Sequence, residues 1–396
     1  METPARLEPT ELTHYSPRLA DVVAEVVAAA TSLGNKLPPR SAESLAALVR
    51  VMNCYYSNLI EGHDTRPRDI ERALSDDLVA EPERRHLQLE ARAHIRLQQA
   101  IDEKHARGQL EEPAQQSFIR WLHEQFYAEA PDELLRVKTR AGSFSMQPGK
   151  FRSEPRHDNA VGRHVPPTSA AVPPFMDYFE QRFRLEGRGM AAKVVTIAVA
   201  HHRFNFIHPF PDGNGRVSRL LAHAMAQKAG LGAHGLWSIA RGLARGLADR
   251  GEYMRMMDTA DEPRRSDLDG RGNLSLAALE AFVTWFCEVA LDQLRFMAQL
   301  FDLDQLSDRL ATYIGRDLGL STPAIKLAQG ILLRGELARG EAPLASGAPE
   351  RTAREALRKL TAAGLVTSTT PKGAVYLQFT SSSAEVLFPR LFPAQG

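Results

Sequence analysis

Apolar residues along this chain recur mostly with the period of an α-helix. From Ser41 they fall at Leu45, Leu48, Val49, Met52, Tyr56, Leu59 and Ile60, which puts them on one face of a single amphipathic helix with Gly62 placed as its C-terminal stop. Before it, 19–30 reads as a short apolar helix ending near Gly34 and the Pro38-Pro39 breaker. Residues 65–140 are charged helical sequence. Within them 82–100 and the amphipathic 118–127 predict scaffold helices, and charges such as Glu81, Glu83, Arg84 and Arg85 read as a solvated face. From Ala141 to Pro174 the Gly, Pro and short polar runs predict loop and hairpin. Helical spacing returns over 172–185, 191–206, 216–228, within 236–260 and over 276–300, with an Asp-, Arg- and Gly-rich loop at 262–275.

The last hundred residues change character. Thr322-Pro323 opens a helix with a cap and an N1 proline, and 350–363 gives a second helix stopped by Gly364. The stretches 365–369 and 374–379 then pair as a hairpin around Thr370-Pro371-Lys372-Gly373. Helix, helix and wing make a winged-helix outline. Arg351, Arg354, Arg358 and Lys359 place positive charge on its second helix, as a DNA contact, a protein contact or an ordinary solvated face would require.

A length of 396 residues with 43% hydrophobic content is ample for two or three domains with ordinary cores. The net charge of +1 argues against whole-molecule steering toward nucleic acid or membrane. Cys54 and Cys287 sit in apolar helical runs and read as small buried hydrophobes, neither a disulfide framework nor a zinc site. The first ten residues lack a basic start and an apolar core, and no run of about eighteen apolar residues occurs, so the expectation is a soluble, cytoplasmic protein with no membrane contact.

Chemistry concentrates in His208-Pro209-Phe210-Pro211-Asp212-Gly213-Asn214-Gly215-Arg216-Val217-Ser218-Arg219. Two glycines flank Asn214 just before a helix, so backbone N–H groups there can turn toward an anion at the helix N-terminus. Arg216 and Arg219, three apart, share a helical face and offer forked donors to phosphate oxygens. Asp212 supplies a hard oxygen suited to Mg²⁺, and His208 a base titrating near neutrality. Phe210 reads as a core residue beneath the loop. His201 and His202 lack an acidic third ligand at suitable spacing and read as core or surface histidines.

The stretch resembles the signature of the Fic (Fido) family, His-x-Phe-x-Asp/Glu-Gly-Asn-Gly-Arg-x-x-Arg, and matches it at every defined position. Upstream, Ser57-Asn58-Leu59-Ile60-Glu61-Gly62 resembles the Ser/Thr-x-x-x-Glu-Gly/Asn inhibitory motif of one class of these proteins. Gly149-Lys150-Phe151-Arg152 and Val161-Gly162-Arg163-His164-Val165-Pro166-Pro167 resemble the family's flap. The resemblance spans about Ser57 to Asp261. It implies a mainly α fold: a Fic-type helical core with a β-hairpin flap, plus a small C-terminal winged-helix (α+β) domain. The corresponding domains are 1–110, carrying an inhibitory helix at 41–62, then the catalytic core 111–300 and the tail 301–396.

The resemblance further implies a protein adenylyltransferase using ATP and Mg²⁺. His208 would take the proton from a Ser, Thr or Tyr hydroxyl of a target protein docked on the flap at 149–164. Asp212 would hold the metal. Gly213, Asn214, Gly215 and Arg216, with Val217 and Ser218 beside them, would border the α- and β-phosphates, and Arg219 would fix the γ-phosphate. Val161, Gly162, Arg163 and His164 would border the nucleotide from the flap, and Tyr253, Met254 and Asp261 from the other side. There the family usually has a second Tyr and an Asn where this chain has Met254 and Asp261, which leaves base selectivity open. Ser57, Glu61 and Gly62 would inhibit, with Glu61 occupying the γ-phosphate's place on Arg219. Removal of AMP, transfer of UMP, phosphocholine or phosphate, and a DNA-binding regulator with a vestigial core remain alternatives, as does self-association.

Overall fold

The computed structural model describes residues 2–63, 65–139 and 142–393. Contacts divide the chain into two compact units, Met1–Ala28 with Asn53–Gly232 and Ser238–Gln293, and Ala29–Met52 with Ala233–Trp237 and Leu294–Gly396. The division passes within three helices, α1 (Pro17–Gly34), α2 (Pro39–Ile60) and, near the middle of the chain's second half, Leu276–Leu300. Its last break, between Gln293 and Leu294, lies near the expected 300, and none falls near 110. The reason lies in the charged region, which forms α3 (Pro67–Leu74) and α4 (Pro82–Ala106). Helix α4 buries Ala91, Ile95, Leu97 and Ile101 against the helices of the catalytic core, so it belongs to that core.

In the first unit α5 (Gln116–Phe126) is followed by β1 (Arg136–Thr139) and β2 (Gly142–Ser145), then by α6 (Val172–Arg182), α7 (Met190–Ile207) and α8 (Asn214–Lys228). Val194, Val195, Ile197, Ala198, Val199 and Ala200 are all buried, so α7 is apolar on every side and forms the unit's central helix. Helix α8 packs along it, α4 and α5 pack against α8, and α6 packs against α7. Helices α9 (Ile239–Arg245), α10 (Glu252–Ala260) and the first part of α11 (Leu276–Leu300) complete the unit. The hairpin lies upstream of the stretch that resembles the flap: β1 pairs antiparallel with β2, Val137 opposite Phe144. Within 149–164 the ladder is reduced to a bridge between Val161 and His164, because this Gly- and Pro-rich sequence has no alternating apolar face to bury.

The second unit is built on α13 (Thr322–Arg334), which follows α12 (Leu303–Thr312). Helix α13 buries Ala324, Leu327, Ala328, Ile331 and Leu332, an i, i+3, i+4 stripe. Its cap residue is Ser321 rather than Thr322, and no side-chain bond closes it. Strand β3 (Glu336–Leu337), α14 (Ala342–Ser346), α15 (Glu350–Ala362), β4 (Val366–Thr367), β5 (Val375–Leu377) and α16 (Ser381–Leu387) follow. The three strands run antiparallel in the order β3-β5-β4. The expected order of helix, helix and hairpin is present, with β3 as an additional edge. Gly364 ends α15 at φ 73°, with the Leu365 N–H donating to the Leu360 carbonyl. The start of α2 is held here too, Ser41 Oγ donating to the Leu332 carbonyl at 2.8 Å and Arg40 lying 3.7 Å over the Tyr376 ring.

Candidate active site

Helix α7 ends at His208, whose φ of 50° and ψ of 57° place it in the left-handed region. That conformation costs a non-glycine residue about 1–2 kcal/mol, so its surroundings must hold it. They do so through Arg152. This buried guanidinium donates from Nε to the His208 carbonyl at 2.7 Å and from one terminal nitrogen to the carbonyls of Ile207 at 3.1 Å and Pro167 at 2.8 Å. Its other terminal nitrogen meets Asp158 Oδ1 at 2.6 Å. Burial, then the neighbouring Arg152 and His164, push the His208 imidazole down to about 4. The ring is therefore neutral near pH 7 and can accept a proton.

The loop after His208 is fixed from below. Phe210 is fully buried, stacked on His123 with ring centroids 3.9 Å apart. His123 Nδ1 accepts from the Gly149 N–H at 2.9 Å, which leaves its proton on Nε2, 3.2 Å from the Asp212 carbonyl. Burial lowers this imidazole to about 4, consistent with the neutral tautomer. The Asn214 side chain pairs with the Phe210 backbone, its Oδ1 accepting at 2.9 Å and its Nδ2 donating at 2.7 Å. It shapes the loop, and only its backbone is left to face a ligand. Gly213 has φ 76°, and a Cβ there would sit 2.7 Å from the Tyr127 hydroxyl. A Cβ on Gly215 would run into the Glu61 carboxylate. Gly213 is thus required by conformation and close approach, whereas a side chain at Gly215 would have to displace the Glu61 carboxylate.

The two arginines of α8 diverge. Arg216 turns inward to Glu90 of α4 at 2.5 Å, with the Tyr127 hydroxyl at 3.3 Å and Asp212 Oδ2 at 3.5 Å. The Tyr127 hydroxyl itself donates to Asp212 Oδ2 at 3.2 Å. Arg219, with 2% of its side chain exposed, donates from Nε to Ser57 Oγ at 2.9 Å and from a terminal nitrogen to the Ser57 carbonyl at 3.2 Å and Glu61 Oε1 at 2.5 Å. Burial works against the Glu61 charge, and the Arg219 guanidinium overrides it, holding the carboxyl below its usual range. Glu61 reaches this position because Gly62, at φ 83°, ends α2 with the His63 N–H on the Asn58 carbonyl. Ser57 and Glu61 therefore meet Arg219 from 162 and 158 residues away in sequence. Val217 and Ser218 are buried in α8, and the Ser218 hydroxyl bonds the Gly215 carbonyl at 2.8 Å.

On the flap side, Val161, Gly162 and Arg163 are exposed in a tight turn. His164 is anchored at both ring nitrogens, Nε2 lying 2.7 Å from the Phe206 carbonyl and Nδ1 2.8 Å from Asp261 Oδ2. Burial raises the Asp261 carboxyl, but the hydrogen bonds from His164 and His202 outweigh it and hold the group well below the usual carboxylate range. Arg163, His164, Phe206, Asp258, Asp261 and Glu262 line a cavity of about 610 Å³. Tyr253 is not among its walls: it is buried, its hydroxyl 2.9 Å from His201 Nε2 and its ring stacked on Trp285. Met254 is half exposed. Glu90, Tyr127 and His123 had no assigned part in the sequence, and Arg152 was placed only within the flap-like stretch. Glu90 sits in a charged helix with nothing local to mark it, whereas Arg152 closes the Gly149-Lys150-Phe151 stretch, and that position was the available signal.

Residues 113–226 match the Fic/DOC family. The protein adenylyltransferase Fic of Drosophila virilis is 40% identical over 82 residues, 21% of this chain and 16% of that protein. Its counterpart in Drosophila melanogaster is 39% identical over the same shares. The matching segment thus spans about a sixth of these relatives. A Fic family protein from Desulfovibrio desulfuricans G20 superimposes with a TM-score of 0.54 at 17% identity, covering 96% of this chain and 99% of that one. A Fic domain containing signaling protein from Bacteroides thetaiotaomicron VPI-5482 gives a TM-score of 0.52 at 20% identity over 70% of this chain and 96% of that one. At these identities the two structures establish a shared fold.

Proposed function

With a Fic/DOC domain at residues 113–226 as the premise, we propose that this chain transfers AMP from ATP to a hydroxyl of a protein and is held back by its own Glu61. The observation that carries the reading is the buried contact of Glu61 and Ser57 with Arg219, one helical turn inside a glycine-flanked loop that begins at a neutral histidine. The target hydroxyl oxygen would bond to the α-phosphorus as the bond to the leaving pyrophosphate breaks, and His208 would take the hydroxyl proton. Backbone N–H groups at Gly213, Asn214 and Gly215 would face the α- and β-phosphates. Arg219 would receive the γ-phosphate once Glu61 withdraws. Arg216, committed to Glu90, would act mainly by fixing Asp212.

Asp212 suits Mg²⁺: its carboxylate is half exposed, pre-positioned by Tyr127 and Arg216, and a single carboxylate with substrate phosphates is the usual donor set. Among the described residues no cluster of three or more His, Cys, Asp or Glu is assembled for a metal, so the phosphates would have to complete the coordination. Bound there, the ion would neutralise charge on the leaving group.

Two anions cannot occupy the Arg219 fork together, so Glu61 lowers productive rather than total ATP binding. Incubation with labelled ATP and Mg²⁺ tests the reading: Glu61→Gly should label itself faster than wild type, and adding His208→Ala should silence it. Equal labelling of all three would sink it. Loss of AMP from a modified protein with wild type but not with Glu61→Gly would assign the hydrolytic direction to the same residues. For the tail, the exposed Arg351, Arg354, Arg358 and Lys359 of α15 support a duplex DNA contact as a second part of the reading. Among the described residues no helix is long and apolar enough to cross a membrane.

A further inference from the structure

We propose that Arg152 is the positioning residue of the active site, the group that holds His208 in its left-handed conformation and keeps the flap's two ends attached to the base. The guanidinium caps the last carbonyls of α7, at Ile207 and His208, which the helix itself leaves without partners. In the same plane it reaches Pro167, at the far end of the flap stretch, and Asp158 within it. Asp158 extends the link, its Oδ1 accepting from the Ser169 N–H at 2.8 Å. The backbone adds one more tie, the Arg152 N–H donating to the Pro209 carbonyl at 2.8 Å. One side chain thus fixes the residues on both sides of His208 Cα and the segment across which a target peptide would dock. No other donor on the protein is aimed at the His208 carbonyl among the bonds described. A lysine could supply the charge but not a planar fork serving four oxygens at once.

The placement has an electrostatic side. The groups that act on the His208 ring are Arg152 just after the β-hairpin, His164 of the flap, Asp212 of the loop and Glu61 after α2. Arg152 and His164 favour the neutral ring, while Asp212 and Glu61 oppose them. Removing the Arg152 charge should therefore raise the His208 pKa toward its ordinary value.

This inference rests on His208 being the base of the proposed transfer, so the test has two readouts on the full chain. The first is the titration of the His208 ring in histidine-labelled protein followed by NMR, which needs no transfer. The second is the pH dependence of self-modification in the Glu61→Gly background. In Arg152→Gln the ring titration should move up by about one pH unit, with the acid limb of kcat moving alongside it and kcat itself falling about ten- to a hundredfold. In Arg152→Lys the charge remains, so the titration should stay near wild type while kcat still falls and nucleotide affinity holds within about threefold. A purely structural residue would lower thermal stability in both variants without separating these two effects. Wild-type titration and wild-type kcat in folded Arg152→Gln would overturn the proposal. If Arg152→Gln does not fold, Arg152→Lys decides, and an unchanged kcat there overturns it equally. A shifted titration with no transfer in any variant would instead retire the transferase reading and leave Arg152's hold on His208 standing.

Discussion

Arginine behaves in opposite ways around the glycine loop and on α15. Around the glycine loop Arg152, Arg216 and Arg219 are buried, and the two on α8 find ion-pair partners far along the chain, Arg216 at Glu90 and Arg219 at Glu61. On α15, Arg354 and Arg358 have 78% and 70% of their side chains exposed, and their partners are Glu350 and Glu355 on the same helix. A buried guanidinium must have its charge matched by the protein, because little water is at hand to do so. An exposed one can exchange its partner for solvent at almost no cost. The first arrangement specifies geometry, and the second leaves the charge available to a passing ligand.

The sharpest break of that contrast comes from leaving one buried charge unmatched. Glu90→Ala strands the Arg216 guanidinium, which also has an unpaired Nε, and should destabilise the first unit by about 3–5 kcal/mol in denaturant unfolding. An effect near zero would mean that Glu90 merely fills space. Burial should show next in the pH profile. With His208 pushed down to about 4 rather than 6.5, kcat/KM for Glu61→Gly should hold as the pH falls below neutrality and collapse only near pH 4. At that lower pH an unperturbed imidazole would retain less than about one-hundredth of its free base. An acid limb near 6.5 would contradict the placement of His208.

Glu61→Gly itself removes a charge-assisted contact of about 1.5–3 kcal/mol and should raise self-modification at least about tenfold. At the opposite extreme, Arg354→Ala with Arg358→Ala should change the tail's stability by less than about 0.5 kcal/mol in thermal unfolding. If the tail binds duplex DNA, the same pair should weaken binding and flatten its salt dependence. Unchanged binding and slope would make α15 a protein-contact or solvated surface.

The same contrast explains what could be read from the sequence. His208 to Arg219 was legible because its chemistry is contiguous, and the loop's meaning survives without knowledge of the fold. The stop at Gly62 and the stripe on α13 were legible because helix periodicity and capping are local. Glu90 was not, since within α4 it looks like any solvated carboxylate until α8 lies beside it. Tyr253 is stacked on Trp285 in the interior, a contact that needs two distant segments to meet and that no local pattern marks. Asp261 could be placed near the cavity, but its engagement with His164 and His202 required two further segments to converge on it. The packing of α4 against α5 and α8 was hidden for the same reason, as composition cannot show which helices a charged helix meets.

Gly215 carries a consequence for how such a protein can change over generations. The Glu61 carboxylate lies in the space that a side chain at this position would fill. A mutation to alanine would displace Glu61, yet on the proposed reading its methyl would then stand where the loop approaches a phosphate. Release of the brake and damage to the loop are therefore the same event at Gly215. On the proposed reading, gain-of-function lineages should arise at Glu61, whose carboxylate is part-exposed, while Gly215 stays closed to that route.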